Sequence, residues 1–221
     1  MVIKRLAVLV EGQTEETFVK EILSDHLSQY DIFPYATRVC TKRVGNCRRY
    51  RGGVDSYTKI KTDIQLLSRD SNINAITTMF DFYAFPTDAP GYSSLPIGNG
   101  YVQVEYLEEQ MKQDINDTRF IPYLMLHEFE AFLFCTPEKI AYTFPNSEEK
   151  VDLIRTIAQS VESPEEINNS PLTAPSKRIL NIFPEYEKPL HGCLTVMEIG
   201  LDTIRSQCSH FDQWLTKLEH L

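Results

Sequence analysis

The sequence predicts an α/β fold: a mostly parallel sheet flanked by helices, with a helical elaboration toward the C-terminus. Three observations carry this. "LAVLV" (residues 6–10) is a short, continuous apolar run, as a strand covered on both faces of a parallel sheet requires, and "INAITTMFDFY" (73–83) is rich in Ile, Thr and aromatic residues, as strands are. Stretches with apolar residues at helical spacing lie between and after them. The composition of the 221 residues, 42% hydrophobic and 24% charged, is that of an ordinary globular chain with enough apolar material for a sizeable core.

The first expected strand, residues 6–10, ends on Glu11 and Gly12. A helix then opens with Thr14 as N-cap and Glu15 and Glu16 in its first turn, and Phe18, Val19, Ile22, Leu23 and Leu27 form its buried face. "RRYRGGVDSY" reads as loop, and a helix follows from Tyr57 to Leu67. "INAITTMFDFY" is the second strand, rich in Ile, Thr and aromatic residues, and it ends on Asp81. The Pro- and Gly-rich "AFPTDAPGYSSLPIGNG" makes a long loop, after which Val104, Leu107, Met111 and Ile115 mark a helix. A third strand is expected from Ile121 to Leu126, with Pro122 near an edge or at its start, and it ends on His127, Glu128 and Glu130. Residues 143–175 read as peripheral. One final helix carries the stripe Ile199, Ile204, Cys208, Phe211, Leu215 and Leu218. The expected division is an α/β core over 1–142 and a mostly helical extension over 143–221 packed on it.

The net charge of −9 argues against a nucleic-acid partner until its distribution is considered. From Arg38 to Arg69 nine basic residues face only Asp55 and Asp63, so that window is +7 and the rest of the chain −16. A local basic patch can hold a phosphate backbone, because neutralised phosphates release counterions locally. Arg48, Arg49 and Arg51 are its candidate contacts, with Lys177, Arg178 and Lys188 as further ones from the second half; the alternative is solvated surface charge. The five cysteines are odd in number and scattered, which fits reduced thiols of a cytoplasmic protein better than a zinc site. No apolar run reaches the roughly 20 residues a membrane span needs, and no signal peptide is expected. G-x-S-x-G and Walker A patterns are absent.

Three apolar strands thus terminate in acids. Ligands of open parallel sheets bind beyond the carboxyl ends of the strands, so Glu11, Asp81 and the His127–Glu128–Glu130 group are expected on one edge. Carboxylates converging there repel unless a cation lies between them, and Mg²⁺ or Mn²⁺ suits oxygen ligands. The alternative is that individual acids are helix caps or surface charges. Gly12 is expected to let the chain turn sharply and a phosphate approach the backbone at the helix start.

"LVEGQTEETFV" resembles the first motif of the Toprim domain shared by topoisomerases, primases and overcoming-lysogenization-defect nucleases. "MFDFYAFP" resembles its second motif in part, with Asp81 at the first aspartate and Tyr83 where the second belongs. "VEGQTE", "FDFYAFP", "LHEFEAFLF", "APSKRI" and "IGLDTIRSQCSHFDQWL" together resemble a bacterial Toprim-like family whose members often lie beside a gene for an ATPase. The resemblance implies a Toprim/Rossmann-like fold, with Glu11 as general acid or base and Asp81 as a metal ligand. Glu128, or Glu130, would replace the missing aspartate, and His127 would orient a carboxylate or phosphate unless it is a satisfied, partly buried histidine. Two functions follow. One is a metal-dependent nuclease or phosphoryl-transfer enzyme acting on nucleic acid with an ATPase partner in a defence-type system. The other is a non-catalytic module that binds nucleic acid or regulates an ATPase.

Overall fold

A computed structural model describes residues 3–40, 42–44, 47–49, 54–167 and 173–221, the short strands within 42–49 by their backbone alone. The chain divides into two compact units, 1–124 with 217–221, and 125–216. The border expected after residue 142 falls inside the second unit.

The first unit is built on β1 (Lys4–Val10), β2 (Ile32–Arg38), β5 (Ala75–Asp81) and β6 (Phe120–Ile121), in the order β2-β1-β5-β6. All of these pairings are parallel. A further short strand, β7 (Leu124–Met125), pairs with β5. Residues 6–10 of β1 are wholly buried, as the continuous apolar run demands, and six of the seven residues of β5 are buried. Truncating Leu9 to Ala would cost roughly 2–5 kcal/mol at such a site. The β2 strand escapes sequence reading because it is an edge. Its residues are mostly half-buried, and Pro34 lacks an N–H for one ladder position.

Between β1 and β2 the chain is helical over residues 13–28. α1 (Gln13–Phe18) and α2 (Ser24–Ser28) flank a π-helical turn, Val19–Leu23. The N-cap is Gly12, not Thr14, and the Glu15 carboxylate reaches back to accept the Gly12 N–H at 3.0 Å. After β2 an antiparallel pair of short strands forms, β3 (Lys42–Val44) with β4 (Cys47–Arg49), and Arg48 and Arg49 of the expected loop belong to β4. α3 (Tyr57–Ser68) and α4 (Gly100–Ile115) stand where periodicity put them, capped by Ser56 and Asn99. The third expected strand is divided into β6 and β7 around Pro122, which cannot donate to a ladder. At the far end, residues 217–221 belong to this unit, and His26 meets Glu219 at 2.6 Å.

The second unit is helical. It holds 3₁₀ segments Phe129–Phe134 and Pro137–Tyr142, then α5 (Glu148–Ala158), α6 (Pro175–Ile182), α7 (Cys193–Ile199), α8 (Leu201–Gln207) and most of α9 (Ser209–Glu219). The expected final helix is three helices. Gly200, at φ +82°, breaks it once and Cys208 a second time. Its aromatic core runs through Phe129, Phe132, Phe211 and Trp214, with ring centroids 5.0–5.6 Å apart. The stretch expected to be peripheral contributes to this interior. Glu165 is buried and accepts the backbone N–H groups of His210 and Phe211 at 3.0 Å each, capping α9 from a distance in sequence. Among the described residues no helix is long and apolar enough to cross a membrane.

Candidate functional site

Val10 at the end of β1 is level with Met79 of β5, so Glu11 and Asp81 leave the sheet within about one residue of each other at its carboxyl edge. Both are half-buried and line one open cavity of about 370 Å³ together with Asp55, Tyr83 and the Ala84–Pro86 turn. The sheet brings the first two acids together, and the segment before α3 adds the third. Asp55 was not foreseen as a site residue, because in sequence it is one of two acids in a basic window. Its side chain is 73% exposed and holds Lys59 at 2.5 Å, one helical turn on, and the Lys59 hydrogen bond lowers its pKa. Two cavity carboxylates with room for water are the donor set that Mg²⁺ or Mn²⁺ takes, since Mg²⁺ keeps several of its waters. Among the described residues no group of three or more His, Cys, Asp or Glu side chains is arranged to hold a metal ion.

Two backbone features shape this cavity. Gly12, expected where the chain turns sharply, has φ −144°, an extended value open to any residue, so its backbone angles are not why glycine stands there. Space is the reason: a Cβ would sit 3.2 Å from Oε2 of Glu15, in the way of the capping bond. Ala84, by contrast, has φ +57° without being glycine, a conformation that costs roughly 1 kcal/mol or more and that concentrates at functional sites. Nothing in the sequence marks Ala84, since strain is visible only once the chain is folded.

His127, Glu128 and Glu130 belong to the second unit, where each is enclosed. His127 has φ +71° and burial pushes its pKa down to about 4, which keeps it neutral at pH 7. Both Glu128 oxygens are engaged at the start of α6, accepting the Ser176 N–H at 2.8 Å and the Ser176 hydroxyl at 3.0 Å. Glu130 is 1% exposed and pairs with Lys188 at 3.2 Å. The Tyr186 hydroxyl is pushed well above its usual pKa by burial first and then by the Glu130 charge, and it fills the notch left by Gly192. Glu128 is thus the cap of α6, and Lys188, expected at a phosphate, is the counter-ion of a buried glutamate. Ser176 lies within "APSKRI", where a serine at a helix start is the capping signal the sequence carries. Arg178 donates to the Thr173 carbonyl at 2.6 Å, and Lys177 is exposed.

The basic window separates into two groups. Arg38 pairs with Glu16 at 3.0 Å, Lys59 with Asp55, and Lys61 with Asp114 at 2.7 Å. Arg48 and Arg49 stand on β4, at register positions opposite Arg43 and Lys42 of β3. Arg51 lies outside the described residues. Like charges at opposite positions of an antiparallel pair are destabilising unless something neutralises them.

A family model described as a domain of unknown function (DUF4276) matches residues 10–219. No curated protein matches. Among solved structures the chain is similar to the C-terminal region of the OLD protein of Burkholderia pseudomallei. That match has 13% identity and a TM-score of 0.47, and it covers 99% of this chain and 100% of the other. It is also similar to the C-terminal region of the OLD protein of Xanthomonas campestris pv. campestris, with 15% identity, a TM-score of 0.43, and 100% of both chains covered.

Proposed function

We propose, from the premise that the chain belongs to the DUF4276 family, that its first unit is a metal-dependent phosphoryl-transfer centre acting on nucleic acid as a nuclease, with an ATPase as partner. One observation carries the reading: Glu11 and Asp81 leave neighbouring parallel strands at the same edge and line one open cavity. A bound Mg²⁺ or Mn²⁺ polarises a phosphodiester and lowers the pKa of a bound water. Asp81 is the residue to hold it, with Asp55 also lining the cavity. Glu11 takes the proton of the attacking water, since a half-buried carboxylate at the cavity wall can exchange protons with it. Glu128 would have to release both Ser176 donors to reach a cation, and Glu130 would have to release Lys188, so neither is the first choice of ligand. The hairpin basic residues hold the phosphate backbone, and their opposed register makes a polyanion a favourable neighbour. The ATPase partner rests on the family resemblance of "VEGQTE", "FDFYAFP", "LHEFEAFLF", "APSKRI" and "IGLDTIRSQCSHFDQWL" alone.

A second reading, a non-catalytic module that binds nucleic acid or regulates its partner, is favoured by Tyr83. It lines the cavity where the resemblance asks for a second aspartate. The two readings separate in one experiment. Purified protein is assayed with Mn²⁺ on single- and double-stranded DNA and structured RNA, with and without the neighbouring ATPase and ATP. Glu11→Gln keeps the size of the side chain and removes its proton exchange. Cleavage should fall roughly 10²–10⁴-fold while nucleic-acid binding and melting temperature stay put. No cleavage by the wild type under any of these conditions would leave the binding module. Changing Arg48, Arg49 and Arg51 together to Ala should weaken binding and flatten the salt dependence by up to about 0.9 per lost phosphate contact.

A further inference from the structure

Cys135 and Cys208 come from distant parts of the second unit, 73 positions apart, and their sulfur atoms lie 3.6 Å from each other in the interior. Cys135 closes the 3₁₀ segment that begins at Phe129, and Cys208 is the break between α8 and α9. Gln207, beside Cys208, donates its side-chain amide N–H to the Cys135 carbonyl at 2.9 Å, a second link between the same two segments. Both thiols are free. A disulfide needs about 2.05 Å between sulfurs, so from 3.6 Å the pair has to close by about 1.5 Å, a movement of the size that side-chain rotation supplies.

We propose that Cys135 and Cys208 are a peroxide-oxidisable pair, and that their disulfide tethers the Glu128–Glu130 segment to the α8–α9 junction. This goes beyond the nuclease reading and does not depend on it. Cys135 is 7% exposed and Cys208 is fully enclosed, so the oxidant meets Cys135 first. Peroxide delivers one oxygen to the Cys135 sulfur, giving a sulfenic acid and one water. The Cys208 sulfur then attacks that sulfur, the S–O bond breaks, and the departing oxygen leaves as a second water with the Cys208 proton. Two thiols have lost two electrons and two protons, and one peroxide has become two waters. The Cys135 hydrogen bond and burial both hold the Cys208 thiol well above its ordinary pKa, so Cys208 does not initiate, and its place beside Cys135 makes it the resolving thiol.

The test is made on the full chain with hydrogen peroxide as oxidant. Thiols titrated after denaturation should fall from the five of the sequence to three, and a peptide map should show one new link joining residues 135 and 208. Closing so long a loop should raise the melting temperature by on the order of 5–10 °C, reversed by a reductant. Cys208→Ala should leave Cys135 as a sulfenic acid that a dimedone probe captures. The wild-type map decides the matter even where that variant fails to fold. Survival of both thiols while other cysteines are oxidised, or a link from Cys135 to any other cysteine, would overturn the pair.

Discussion

The acids of the first unit and those of the second have the same chemistry and different surroundings. Glu11, Asp55 and Asp81 line an open cavity at a sheet edge, whereas Glu128 and Glu130 are enclosed and met by Ser176 and Lys188. A carboxylate whose hydrogen-bonding capacity is spent on its own chain is a structural joint. One that lines a water-accessible cavity stands where a cation or a proton can reach it. The difference lies in where the backbone places donors, since a buried charge is retained only when a counter-charge or a helix start comes to it.

If that contrast is right, the largest loss of stability belongs to the second unit. Lys188→Met strands Glu130 in the interior and should cost roughly 3–5 kcal/mol in denaturant unfolding. Adding Glu130→Leu should recover most of that loss; a double variant no better than the single would break the account of the pair. Ser176→Ala should follow, at about 1.5–3 kcal/mol, because it removes a hydrogen bond to a charged group while the backbone donor remains. Ala84→Gly in the first unit should change stability by only about 1 kcal/mol, read as a shift of midpoint. The sign sharpens the comparison: stabilisation means that the φ of +57° is strain held by the cavity turn. The smallest effect on stability is expected for Asp81→Asn, within about 0.5 kcal/mol, because the side chain is half-buried and faces the cavity. Calorimetric titration with Mn²⁺ should nevertheless lose its heat in that variant. Equal, negligible heats in wild type and variant would remove the metal from the proposal, and a large loss of stability would make Asp81 another joint.

Within the sheet, legibility followed burial. β1 and β5 were readable because both their faces are covered, which leaves an unbroken apolar run in β1 and a run of Ile, Thr, Met and Phe without charge before Asp81 in β5. The edge strand β2 was not, because one side is partly exposed and its residues alternate with no firm pattern. The final helices were readable as an apolar stripe but not as three pieces. Helical periodicity continues across Gly200 and Cys208, and only the backbone dihedrals show the breaks. The expected Thr14 cap failed by two residues because Glu15 supplies the capping oxygen from inside the helix.

The sequence by itself determined the α/β alternation, the buried strands and the acids at their ends, because hydrophobic period and strand termini are local properties of the chain. It also determined that basic charge gathers between residues 38 and 69. Only the tertiary structure decided that Asp55 joins Glu11 and Asp81, that Ser176 and Lys188 absorb Glu128 and Glu130, and that Cys135 meets Cys208. Those partners stand between 48 and 73 positions apart or come from three separate segments. No local pattern encodes which distant donor will reach a given carboxylate or thiol; the packing of the elements that carry them fixes it.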